Sequence, residues 1–336
     1  MKLKETGEFG LIERIANGCV VRPDHVIKGI GDDAAAFRPP EGEILLVTTD
    51  LLIEGVHFLR EKTPAEDLGH KALAVNLSDI AAMGGTPKEA FVSIAIPDDC
   101  DVTYIDGIYR GIKRLARPLG LNILGGDTTR SLRDLVINIT LMGSAPENRV
   151  LYRHRARPAD IIYTTGFPGE SRAGLHLLLT GTPLETEGLR ELSARHHLPQ
   201  PQIRQGRFLA ASGAVHAAID LSDGLSSDLA HIAKQSGVGI RLFADKLPLS
   251  PSLKQFCDRF DFDPQEYVLS GGEDYLLAFT VPPEKAEALE NAFRAKFQTP
   301  LFAIGEVVPS GPMELAFPGG IIKTITPSGW DHFNRQ

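Results

Sequence analysis

The apolar positions of the chain change period repeatedly, and each change marks an element. Residues 44–47 form a short apolar run that ends on Thr48-Thr49-Asp50, and residues 89–96 and 135–142 are similarly apolar, so all three read as β-strands. Between them the period lengthens. Thr63-Pro64-Ala65-Glu66 places a hydroxyl residue, a proline and an acid in the order of a capped helix start, which predicts a helix running to Met83 and stopped by Gly84-Gly85. Over residues 102–119, Ile105, Ile108, Ile112 and Leu115 recur every three or four positions and predict a second helix.

A Pro- and charge-rich passage at 145–158 interrupts the series, and a second series opens with a strand at 160–165. It continues as helix 204–212, strand 217–221, helix 225–235, strand 275–281, helix 283–297 and strand 301–307. Strands and helices interleave in both halves, so the expected fold class is α/β, with mixed layers in each of two domains, 1–148 and 149–336. A length of 336 residues agrees, being too great for one compact core of ordinary size. There is no short repeat and no low-complexity tract.

Composition narrows the function classes. With 43% hydrophobic and 23% charged residues the chain has the make-up of a soluble globular protein. Lys and Arg number 35 against 43 Asp and Glu, a formal charge of -8, which argues against a nucleic-acid partner because phosphate-backbone affinity needs a basic face. Cys19, Cys100 and Cys257 are odd in number and lack CxxC spacing, so neither a disulfide framework nor a zinc ribbon is expected, and a reducing cytoplasm fits. Charges interrupt residues 1–15, unlike a secretory signal, and no apolar stretch reaches the roughly 18 residues of a membrane span.

The candidate chemistry lies in aspartates that recur where an apolar element gives way to glycine or a hydroxyl residue. They are Asp32-Asp33, Asp50, Asp79, Asp127, Asp220 and Asp223. Singly, such residues cap helices and make turns. Brought together they would repel one another without a cation, and hard oxygen ligands select Mg²⁺ or Ca²⁺ over zinc. Magnesium takes only one or two protein carboxylates per ion, so this many acids implies several ions, the arrangement of phosphoryl transfer. Neighbouring glycines, as in Gly125-Gly126, let backbone N–H groups approach a phosphate. No GxxxxGK[ST], strand-following GxGxxG, HExxH or GxSxG pattern occurs, so a P-loop or dinucleotide site is not indicated.

The motifs occur in a distinctive order. They are Gly7-Glu8-Phe9 with Leu11-Ile12, then GIGDD (29–33), Thr48-Thr49-Asp50, EGVHF (54–58), KALAVNLSDIAAM (71–83), GGDTT (125–129), IDLSDGL (219–225), SGGEDY (270–275) and GWDHF (329–333). Over nearly its whole length the chain thus resembles the thiamine-monophosphate kinase family. The resemblance implies a two-domain fold shared with aminoimidazole ribonucleotide synthetase and selenophosphate synthetase, and a homodimer in which two N-terminal sheets pair into a barrel. It implies that the first domain carries the metal and ATP site and the second completes the ATP and substrate site. By motif, Asp33, Thr48, Thr49, Asp50, Asp79, Asp127, Asp220 and Asp223 match magnesium ligands, with Asp50, Asp127 and Asp220 as the catalytic set. Tyr109, Gly126, Asp127, Arg153 and Ser222 match ATP contacts, and His57, Glu273 and Trp330 match contacts to thiamine monophosphate.

Elementary chemistry adds to this. An aromatic face such as Trp330 suits the cationic thiazolium, a carboxylate such as Glu273 suits an aminopyrimidine, and the run Arg153, His154, Arg155, Arg157 supplies cations for a triphosphate. The family pattern is broken at His154-Arg155, where a small residue and glycine are usual, at Ala159, where glycine precedes the aspartate, and at Leu276, where glutamate follows SGGEDY. The implied reaction is ATP plus thiamine monophosphate giving ADP and thiamine diphosphate. Two other readings are open at this point: another ATP-dependent enzyme of the superfamily, a cyclo-ligase or selenophosphate synthetase, and a non-enzymatic divalent-cation scaffold. SGGEDY, GWDHF and the lack of a reactive cysteine in the N-terminal glycine region disfavour the first.

Overall fold

The computed structural model describes residues 14–24, 26–28, 36–37 and 41–330. The motifs at 7–12, 29–33 and 331–333, and Asp33 with them, lie outside the described residues. Contacts divide the chain after Asn148 into two compact units, with residues 81–84 grouped into the second.

In the first unit, strands β3 (Glu43–Ile53), β4 (Thr86–Pro97), β5 (Asn122–Ser131) and β6 (Val136–Pro146) form a sheet of order β3-β6-β4-β5. Pairing is antiparallel except between β4 and β5, while β1 (Val26–Lys28) and β2 (Ala36–Phe37) form a separate antiparallel pair. Alternation gives the sheet one buried face, with Leu46, Leu52, Val92, Ile94, Ile137 and Ile139. On the other face of β3 three apolar side chains are open, Leu45, Val47 and Leu51, at 45, 62 and 47% exposure.

Helix α1 (Ala65–Ala82) is buried at every position from Leu68 onward except Asp79, the polar His70, Lys71, Asn76 and Ser78 included, so its apolar residues are not confined to one stripe. It meets α2 (Val102–Leu119) at glycines: a Cβ on Gly69 would stand 1.9 Å from the Ile108 carbonyl oxygen, and one on Gly111 2.0 Å from that of Glu66. The two backbones touch there, so any larger residue would force the helices apart.

The second unit has a seven-stranded sheet of order β13-β12-β9-β11-β7-β10-β8. Its strands are β7 (Ile161–Thr164), β8 (Ala218–Asp220), β9 (Gly239–Phe243), β10 (Leu277–Val281), β11 (Phe302–Val308), β12 (Glu314–Ala316) and β13 (Ile322–Thr324). Its helices are α3 (Glu170–Thr180), α4 (Glu187–His197), α5 (Ile203–Ser212), α6 (Leu225–Ser236), α7 (Pro251–Phe260), α8 (Pro264–Ser270) and α9 (Pro283–Phe297). Every position of β10 is buried, as befits an interior strand between β7 and β8. Leu225, Leu229 and Ile232 of α6 join Ile219, Ile240 and Leu242 in one core cluster, each such side chain contributing about 1.5–3 kcal/mol by burial.

Just before β7, Ala159 adopts φ 72°, a left-handed conformation that explains why glycine is usual there. Asp160 beside it is buried but well partnered, accepting bonds from the Arg157 N–H at 2.9 Å and the Thr280 hydroxyl at 3.0 Å, with His216 Nδ1 at 2.9 Å.

Candidate functional site

In the first unit the alternation of β3 decides which residues of Thr48-Thr49-Asp50 can act together. Thr48 and Asp50 share one face, and the Thr48 hydroxyl donates a hydrogen bond to Oδ2 of Asp79, near the end of α1. The Oδ2 atom of Asp50 is shut off from solvent and has no hydrogen-bond partner among the described residues. Burial, and secondly the nearby charge of Asp79, push the Asp50 carboxyl up to about 7. Two neighbouring carboxylates and a hydroxyl, with one buried oxygen orphaned, form a hard-oxygen set that suits magnesium.

Thr49 points to the opposite face, where its hydroxyl accepts bonds from Asn138 at 3.0 Å and Thr140 at 3.2 Å. Asp127 is exposed and stands in register with Ser93, which alternates with the buried Val92 and Ile94, so it lies on the face away from Asp50. The structure therefore brings Thr48, Asp50 and Asp79 together without Thr49 or Asp127. Among the described residues no three His, Cys, Asp or Glu side chains already stand as a metal cage.

Gly126 is in register with Val92 at φ 151°, and a Cβ there would fall 1.7 Å from the Val92 carbonyl oxygen. Its glycine thus has a packing cause as well as the expected phosphate role. Tyr109 is a core residue at 5% exposure, and burial raises its phenol above the ordinary range. His57 sits in the turn after β3, where its Nδ1 accepts the Ile53 N–H at 3.0 Å, so Nε2 carries the proton in the neutral ring.

In the second unit three motifs far apart in sequence are joined by backbone hydrogen bonds. The Glu273 N–H donates to the Ser222 carbonyl at 2.7 Å, the Tyr275 N–H to that of Leu221 at 2.8 Å, and the Trp330 N–H to that of Asp223 at 2.9 Å. Ser226 closes the join, its hydroxyl donating to the Ser328 carbonyl at 2.9 Å and accepting the Ser328 N–H at 3.0 Å. Asp220, Ser222, Asp223, Glu273 and Trp330 thus belong to one constellation, and Trp330 is 53% exposed. A cavity of about 250 Å³ opens beside it, lined by residues including Ser226, Ser270, Ile325 and Ser328.

Two acids, the buried Asp228 and the partly buried Asp274, hold this constellation, and sequence reasoning singled out neither. Asp228 Oδ2 accepts the N–H groups of Ser222, Asp223 and Gly224 at 3.1, 3.3 and 3.1 Å, shaping the turn into α6. Burial first, then the charge of Asp220, push its carboxyl up to about 8. The available signal was an acid in the first turn of the helix after Gly224. Asp274 accepts the N–H of Gly169 at 2.6 Å and that of Ser171 at 3.1 Å at the start of α3. On either side of it, Glu273 and Tyr275 adopt φ 61° and 52°, a left-handed pair typical of strained functional loops.

Arg153 begins a short 3-10 turn, Arg153–Arg155, tied to the end of α6 because the Ser236 hydroxyl donates to the Arg153 carbonyl at 2.9 Å. The unusual Arg155 stacks its guanidinium 4.4 Å from the centre of the Tyr152 ring, which gives this departure from the family pattern a local partner.

Residues 31–145 match the AIR synthase related protein N-terminal domain, and residues 160–317 match the C-terminal domain of the same group. The thiamine-monophosphate kinase of Aquifex aeolicus (strain VF5) is 38% identical over 333 residues, covering 99% of this chain and all of that protein. The thiamine-monophosphate kinase of Salmonella typhimurium is 40% identical over 330 residues, covering 97% of this chain and 98% of the relative. The chain belongs to the thiamine-monophosphate kinase family. A solved structure of that family, "AaThiL complexed with AMPPCP and TMP", superposes with a TM-score of 0.78 at 37% identity, covering 99% of each chain. The two-domain α/β fold expected from the motifs is therefore the thiamine-monophosphate kinase fold.

Proposed function

We propose that this chain transfers the γ-phosphoryl group of ATP to thiamine monophosphate, giving ADP and thiamine diphosphate. The observation that carries the reading is the full-length similarity to a relative solved with AMPPCP and TMP, an ATP analogue and the acceptor. The acceptor is a phosphate whose second pKa is about 6, so it is largely ionised at neutral pH and needs no general base. The aspartates then act as ligands and not as proton carriers. Transfer is direct and in line, and the protein's task is positioning and charge compensation.

Thr48, Asp50 and Asp79 are assigned to hold magnesium, supported by the orphaned Asp50 oxygen. Asp33, Asp127, Asp220 and Asp223 are assigned as further ligands on their motifs, and Thr49 on its place in the Thr-Thr-Asp run. When bound, magnesium offsets the repulsion between two polyanions and orients the reacting oxygens. Arg153 and Ser222, with backbone around Gly126, are assigned to ATP, and the buried Tyr109 is assigned there on the resemblance alone. Trp330, about half exposed, is assigned to the thiazolium through its aromatic ring, Glu273 to the aminopyrimidine as an acceptor, and His57 to the acceptor on its motif.

The open apolar stripe of Leu45, Val47 and Leu51 supports pairing of two copies of the chain through this sheet. A cytoplasmic setting is proposed from three unpaired, buried cysteines; among the described residues no helix is long and apolar enough to cross a membrane. The test is to mix the chain with ATP, Mg²⁺ and either thiamine monophosphate or free thiamine. Thiamine diphosphate is expected from the monophosphate alone, and its absence defeats the reading.

A further inference from the structure

Helix α4 follows from its sequence: Thr186 accepts the Leu189 N–H at 3.3 Å as its N-cap, and Arg195, His196 and His197 form a basic last turn that complements the helix dipole. One member of that turn is not at the surface. His196 is 4% exposed, packed against Gly174 of α3, where a Cβ would meet the His196 Cβ at 2.8 Å and the Leu192 carbonyl oxygen at 2.2 Å. The missing side chain at Gly174 lets α4 lie close enough for the imidazole to reach past it.

What it reaches is the SGGEDY loop. His196 Nδ1 lies 3.2 Å from the Ser171 hydroxyl oxygen and 3.4 Å from Oε2 of Glu273. The Ser171 end is itself fixed, since its N–H donates to Asp274, the residue after Glu273. Glu273 therefore has a backbone locked at φ 61° by its bond to Ser222 and a carboxylate flanked by a buried nitrogen on a separate helix. A carboxylate with its backbone fixed and a buried ring nitrogen 3.4 Å from its tip has fewer orientations to lose when a ligand binds it.

We propose that His196 is a positioning residue for Glu273, holding the Glu273 carboxylate in the orientation that meets thiamine monophosphate. The proposal rests on the reading above that Glu273 contacts that acceptor. Buried imidazoles often only fill space, so the test needs a readout that packing alone would not move. The full chain is assayed as wild type, His196→Ala, His196→Asn, Glu273→Ala and the His196→Ala/Glu273→Ala double variant, with Tm measured for each.

His196→Ala is expected to raise the KM for thiamine monophosphate about tenfold, while the KM for ATP and the saturated rate stay within about twofold. His196→Asn, whose amide nitrogen stands where Nδ1 stood, is expected to recover most of the loss, and it serves in place of His196→Ala if that variant does not fold. In the Glu273→Ala background the second substitution is expected to add nothing. An acceptor KM unmoved by His196→Ala, or an equal loss with Glu273 already removed, overturns the proposal. If Glu273→Ala itself leaves the acceptor KM unchanged, the assignment of Glu273 fails and this proposal with it; if only Glu273→Ala acts, the assignment stands and the positioning role falls.

Discussion

Glu273 donates its backbone N–H to the carbonyl of Ser222 at 2.7 Å, and in doing so it holds a left-handed conformation that non-glycine residues avoid. That conformation costs about 1–2 kcal/mol. Glu273→Gly is expected to relieve part of it and raise Tm by about 2–4 °C, while weakening thiamine monophosphate binding. Thermal melts and acceptor titrations check the pair of effects. A lower Tm with unchanged acceptor binding would mean that the conformation stores no strain and the carboxylate does no work.

The Asp50–Asp79 pair makes a similar exchange in electrostatic form. Without a cation the buried Asp50 carboxyl bears the cost of desolvation and of its neighbour's charge. Asp50→Asn is therefore expected to raise Tm in EDTA, to remove most of the stabilisation that Mg²⁺ gives the wild type, and to lower turnover by about two orders of magnitude or more. Melts with EDTA and with Mg²⁺, beside an activity assay, give all three. Wild-type Mg²⁺ stabilisation in the variant would remove Asp50 from the ligand set.

Gly126 separates a packing cause from a phosphate-binding one. Gly126→Ala forces a Cβ to within 1.7 Å of the Val92 carbonyl oxygen, so the β4–β5 pairing must open, at an expected cost of about 3 kcal/mol. Gly181→Ala, at φ 66° with nothing within 4 Å, should cost only about 1 kcal/mol. Urea midpoints of the two variants decide the matter. Equal small losses would leave phosphate approach as the reason for Gly126.

Burial drives the pH behaviour of Asp274, whose carboxyl is pushed up to about 8 even though the Gly169 and Ser171 N–H groups favour its charged form. Below about pH 4 it is protonated both folded and unfolded, and its contribution to stability is complete. As pH rises from about 4 to 8 the unfolded chain releases this proton first, so stability falls, and the contribution is gone once pH passes the folded value. Asp274→Asn cannot titrate. The difference in stability between wild type and variant should decline across that window, measured by melts at a series of pH values, and a difference independent of pH would contradict the burial argument.

Much of the fold was legible because long periodic stretches dictate it. The helix expected at 102–119 is observed as Val102–Leu119, and that at 283–297 as Pro283–Phe297, both with strong local patterns. The strand expected at 44–47 extends to Ile53 because all eleven residues pair with β6, and this carries Thr48-Thr49-Asp50 into the sheet and splits their side chains between two faces. Gly125-Gly126-Asp127 carries no strand pattern of its own, yet pairing with β4 makes it part of strand β5, a tertiary cause that local propensity does not contain. Helices α3, α4, α7 and α8 are not among the elements the sequence pattern predicts. In the second unit the acids of the motifs were visible one by one, but Asp228 and Asp274, which hold those motifs in shape, act through backbone N–H groups and so leave no pattern of their own. Where the structure does not add to the motifs, as at Asp33, the assignment still rests on the sequence.

Following the γ-phosphoryl group is the most direct test of the account. With γ-labelled ATP, Mg²⁺ and thiamine monophosphate, the label should appear in thiamine diphosphate in equal amount to the ADP formed. Label released as inorganic phosphate without thiamine diphosphate, or AMP as the nucleotide product, would contradict direct transfer and point to a different ATP-dependent reaction on this fold.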